Sequence, residues 1–171
     1  GHAASRVPGY EPRHLVVLVW ALATARICDE DFFWAATRAA ESSKAANWVP
    51  QDISNFMWAC AVIRCEAPPP LEVLATRAAK LGWHTFEPRE LSIAMWAALT
   101  LGVRDSRPAA HASVQRLLQH AARQLRTSGA AGFEGRHMAN AAWAIARWQR
   151  HCRLTGLSQE LKPSACRPAL R

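Results

Sequence analysis

Three tryptophans stand 38 residues apart in this 171-residue chain, at Trp20, Trp58 and Trp96, and a fourth, Trp143, follows after 47. The neighbouring residues repeat with them. The segments YEPRHLVVLVWALA (10–23), WVPQDISNFMWACA (48–61), FEPRELSIAMWAAL (86–99) and FEGRHMANAAWAIA (133–146) align column by column. An aromatic opens each (Tyr10, Trp48, Phe86, Phe133), and Pro12, Pro50, Pro88 or Gly135 follows two residues later. Leu15, Ile53, Leu91 and Met138 share an apolar column, and an alanine succeeds every tryptophan. A fixed period of this length is the mark of a repeat architecture, and it outranks local propensity in deciding the fold.

Each column has a physical use. Proline in the first helical turn loses no hydrogen bond and presets φ, so it marks a helix start. The preceding aromatic can staple onto that turn. Leu91, Met95, Ala98 and Leu99 lie on one face at helical spacing, with Trp96 on its flank. The alanine after each tryptophan lets a neighbouring helix approach. On this reading Trp20, Trp58, Trp96 and Trp143 are core residues, whereas Trp83 and Trp148, off the column, are candidate exposed stackers.

A second helical pattern fills the intervals: DEDFFWAATRAAESS (29–43), PPPLEVLATRAAKLG (68–82) and HASVQRLLQHAARQL (111–125), aligned on their Ala-Ala pairs. The nine extra residues of the third interval divide into about four before its helix and five after it. They are expected to fall in loops around RDSRPAA and TSGAAG. Seven helices result, and a two-helix unit of 38 residues cannot bury its faces alone. The expected fold is all-α, a right-handed α-solenoid of about three to three and a half helix-hairpin units over residues 10–153. Residues 154–171 are expected to form an irregular basic tail.

The stretch PPPLEVLATRAAKLGWHTFEPRELSIAMWAALTLG, residues 68–102, resembles one complete octotricopeptide repeat, with its Pro-rich opening, aromatic-x-Pro step, Trp-Ala second helix and 38-residue period. Similar helical repeats occur in FAST-kinase-like organellar proteins and in RNA-editing substrate-binding complex proteins. The likeness spans roughly residues 10–150. It implies binding of single-stranded RNA, an organellar transcript or rRNA, in a mitochondrion or plastid. The implied role lies in RNA processing, stability, editing or translation, within a ribonucleoprotein.

Charge points the same way. Residues 1–99 carry a net charge of −1, residues 100–171 one of +9, and 18 of the 21 basic residues are arginine. Arginine forks fit phosphate and stack on bases. In solenoids that read single strands, one helix of each unit lines the concave surface, and the helices preceding the tryptophan segments have suitable polar columns. The candidate RNA-binding residues are therefore Thr76, Arg77, Lys80, Arg116, Gln119, His120 and Arg123. A second polar column, Arg13, Gln51, Arg89 and Arg136, reads more simply as first-turn contacts, and Asn55 and Asn140 as glue between units.

No phosphate-binding glycine loop, H-E-x-x-H or G-x-S-x-G occurs, so catalysis, a cofactor and a metal find no support in the sequence. The five cysteines, Cys28, Cys60, Cys65, Cys152 and Cys166, lack metal-ligand spacing and are expected to be reduced thiols in a reducing compartment. No apolar run reaches the roughly 18 residues of a membrane span. The competing expectation is a protein-interaction scaffold, because α-solenoids also bind peptides and subunits.

Overall fold

The computed structural model describes residue 7 and residues 10–41, 48–63, 71–103, 108–128 and 132–156. Among them the protein is all-α, with seven helices: α1 (Pro12–Thr24), α2 (Glu30–Glu41), α3 (Pro50–Val62), α4 (Leu71–Leu81), α5 (Pro88–Gly102), α6 (Pro108–Ser128) and α7 (Gly135–Thr155). A 3₁₀ turn, Trp83–Thr85, joins α4 to α5.

The helix starts follow the repeated columns. Pro12, Pro50 and Pro88 each open a helix, and Gly135 opens α7. The third residue of three of these helices turns back to accept the N-cap amide. Asp52 accepts from Val49 N–H at 3.3 Å, Glu90 from Glu87 at 2.9 Å, and His137 Nδ1 from Glu134 at 3.3 Å. One orphan donor per helix is thereby satisfied. The opening aromatics Trp48 and Phe86 are buried, and Tyr10 and Phe133 pack against the core.

The helices form two rows. Along the odd row, α3 packs on α1 and on α5, and α5 packs on α7, over much of their lengths. In the even row α4 touches α6 less extensively, and α2 touches α4 only slightly. The close approach follows from small residues: Ala59, Ala97 and Ala144 are fully buried. Ala21, in the same column of α1, is exposed. Between the rows Gly102 lies against Val114 of α6, so tightly that a Cβ there would collide with the valine methyl. Gly82, at φ +84°, ends α4 in a conformation that L side chains rarely adopt.

The extra residues of the third interval lengthen a helix rather than its loops. α6 runs for 21 residues, against 12 in α2 and 11 in α4. Aligned on the Ala-Ala pair, it gains roughly one turn at each end. Alanine, arginine, leucine and glutamine dominate the added turns and are good helix formers. α7 likewise continues to Thr155, past the expected boundary at residue 153, and Gly156 at φ +69° follows it. The rest of the expected tail lies outside the described residues.

The expectation of reduced thiols holds for Cys60 and Cys152, which are free and buried. It fails at Cys28, an exposed residue that is disulfide-bonded. Sequence spacing carries no record of which cysteines meet in space, and the inference of a reducing compartment loses its support here. Cys65 and Cys166 lie outside the described residues.

Candidate nucleic-acid interface

A groove of about 340 Å³ lies between α4 and α6 and beneath the 3₁₀ turn. Ala75 and Ala79, one turn apart on α4, keep one wall low, while Arg116, Gln119, His120 and Arg123 line the other. His84 and Trp83 close the end, and no carboxylate is among the described lining residues. Arg116 donates to Ser113 Oγ at 3.2 Å, which steadies its guanidinium while leaving the side chain exposed. Arg123 is exposed as well. Burial, Arg123 and His84 together hold His120 below the ordinary histidine value of 6.5, and its ring lies 6.1 Å from that of Trp83. Two guanidiniums and two imidazoles around one apolar floor form an anion-accepting concavity.

Four of the seven residues nominated from sequence thus meet in one place. Thr76 and Lys80 are exposed on α4 but do not line the groove. Arg77 corrects its assignment as a ligand-facing cation: its Nε donates to the carbonyl of Ala40 in α2, and its guanidinium lies 5.7 Å from the Trp48 ring centroid. A cation on the last carbonyls of a helix also complements its dipole, so Arg77 ties α4 to α2. His84 was missed by the sequence reading because it belongs to no helical column; only Gly82, two residues earlier, signals the turn that places it.

The tryptophans require a second correction. Trp83 and Trp148 are buried, at 5% and 1% exposure. Trp83 packs on Phe86 at 5.0 Å, and Trp148 stacks on His151 at 5.4 Å beside His111. Conversely, Trp20 and Trp143 are 46% and 43% exposed, whereas Trp58 and Trp96 are half-buried and pack against the core. α3 and α5 have neighbours on both flanks and the even row behind them. Their remaining open stripe contains the tryptophan and the residues three and seven before it and four after, a set that shares one helical face.

This outward face recurs on all four odd helices. Arg13, Gln51, Arg89 and Arg136 form its first column, then Val17, Asn55, Ile93 and Asn140, then the tryptophans, then Thr24, Val62, Thr100 and Arg147. Every one of these residues is exposed or half-buried, and no carboxylate stands in the four columns. Glu11, Glu87 and Glu134 sit at the N-caps, just outside, where Glu134 holds Arg136 at 2.8 Å. Trp20 leans on Trp58 with ring centroids 6.4 Å apart, and Arg147 lies 5.4 Å from the Trp143 ring.

No protein family, no curated protein and no solved structure matches the chain. Among the described residues no three His, Cys, Asp or Glu side chains converge as a metal site. None of the described helices is long and apolar enough to cross a membrane.

Proposed function

We propose that this chain is an RNA-binding α-solenoid of the octotricopeptide type, with about three to three and a half helix-hairpin units, acting in organellar RNA processing, stability, editing or translation. The observation that carries the reading is the groove between α4 and α6, whose described lining residues include no carboxylate. Arg116, Arg123, His84 and His120 surround a space of nucleotide size there. Further support comes from the net charge of +9 over residues 100–171 and from the 38-residue period. Cationic forks over an apolar floor suit a phosphodiester beside an unstacked base. The mitochondrial or plastid setting rests on the family resemblance alone.

The test is a titration of fluorescein-labelled single-stranded RNA, followed by anisotropy between about 50 and 200 mM salt. Affinity falls steeply with salt in the wild type, and Arg116→Glu combined with Arg123→Glu abolishes binding. Salt-independent binding, or a charge-reversed protein that binds as well as wild type, would sink the proposal.

A further inference from the structure

On four successive helices of one row a tryptophan turns toward solvent: Trp20 and Trp143 are exposed, and Trp58 and Trp96 are half-buried against the core. The interior of the odd row is filled by other columns: Ile53, Met57, Leu91 and Met95 are fully buried, while the tryptophans beside them face outward. A core needs no ring on its solvent side, and a lone exposed tryptophan would be unremarked. Four in register make an aromatic ladder, with an arginine already lying over the ring of Trp143.

The neighbours of the ladder behave differently from the ladder itself. The ring is constant from helix to helix, whereas the residue one turn before it changes among Val17, Asn55, Ile93 and Asn140. A constant ring can stack on any base, since every base has a π-face, and the amides of Asn55 and Asn140 can meet a base edge beside two of the four rings, where Val17 and Ile93 offer only apolar contact. The tryptophan face belongs to the odd row, whereas the polar columns of α2, α4 and α6 belong to the even row.

We infer that the outward face of α1, α3, α5 and α7 is a base-stacking surface for single-stranded RNA, with Trp20, Trp58, Trp96 and Trp143 as successive platforms. Asn55 and Asn140 meet base edges within it. The inference rests on the RNA reading above and adds to it a second surface that engages bases rather than phosphates. Absence of acid from the four columns and the four arginines within them, Arg13, Arg89, Arg136 and Arg147, favour a nucleic acid over a protein as the occupant.

The experiment uses the full chain and the double variant Trp20→Ala with Trp143→Ala, the two most exposed rings, with helicity and thermal unfolding checked by circular dichroism. Two probes are titrated: a labelled single-stranded RNA 20-mer and an abasic ribose-phosphate oligomer of the same length. The double variant is expected to bind RNA at least about tenfold more weakly, with an unchanged salt slope and unchanged affinity for the abasic probe. Trp20→Phe with Trp143→Phe, which keeps both rings, should recover most of the loss. RNA affinity within twofold of wild type overturns the inference while leaving the RNA reading intact. Equal losses on both probes overturn it too, since stacking cannot act on an abasic strand. If the wild type binds neither probe at low salt, the RNA reading and the ladder fall together.

Discussion

Ala59 and Ala97 bring α3 and α5 into contact along their lengths, whereas α4 and α6, joined to the same units, leave a groove between them. The difference lies in what stands at the contact. The odd row meets through alanines and fully buried Phe56, Met57 and Met95. The even row is bridged by longer, polar devices: Arg77 reaching from α4 to the end of α2, and Arg116 and Arg123 edging the α4–α6 groove. Close packing concentrates stability in one row; looser packing in the other leaves concave space that a ligand can fill.

That contrast can be broken by matched truncations. Leu99 in α5 and Leu74 in α4 are both fully buried. Leu99→Ala is expected to cost about 4 kcal/mol and Leu74→Ala about 3 kcal/mol, because looser surroundings collapse further into the cavity. Urea unfolding of the two variants measures the difference, and a larger loss at Leu74 would reverse the assignment of stability to the odd row.

A smaller effect sharpens the role of the bridging cation. Arg77→Met is expected to lower stability by about 1–2 kcal/mol, through the lost bond to Ala40 and the lost contact with Trp48. RNA affinity should stay within twofold of wild type in the anisotropy titration. A tenfold loss of affinity without loss of stability would return Arg77 to the ligand surface.

The smallest effect is one of pH. His120 in the groove and His151 in the α6–α7 seam are both held below the ordinary 6.5, each chiefly by burial. The unfolded chain therefore binds protons more readily than the folded one in this range. Their contribution to stability is full above about pH 6.5 and is lost as the pH falls below it. His120→Gln should flatten the decline of the melting temperature on acidification, and adding His151→Gln should flatten it further. A steeper decline in either variant contradicts the sign.

The seven helices and most of their starts were legible in the sequence because proline, alanine and the aromatic columns act locally and at fixed spacing. The outward turn of the tryptophan column was not. Around Trp58 and Trp96 nearly every residue is apolar or small, so periodicity cannot say which apolar residue faces outward; only the placement of neighbouring helices decides it. Arg77 illustrates a second blindness. Its column position matches that of Arg38 and His120, yet its partners, Ala40 and Trp48, become neighbours only when α4 packs beside α2 and the start of α3. The groove was half legible: four residues of α6 were placed together by helical spacing, while His84 depends on the turn after Gly82.

The added length of α6 bears on how such a chain tolerates change. An α-helix rotates each new residue by about a hundred degrees, so an insertion within α6 would swing one half of it out of register with the other. Extension at the ends leaves Val114, Leu117, Leu118 and Ala121 facing the core and Arg116, His120 and Arg123 facing the groove. Growth of α6 at its termini thus keeps its two faces in register, where an insertion between them would not. A family of variants built by adding or trimming terminal turns of α6 would tune the reach of the groove's wall without disturbing the side chains that line it.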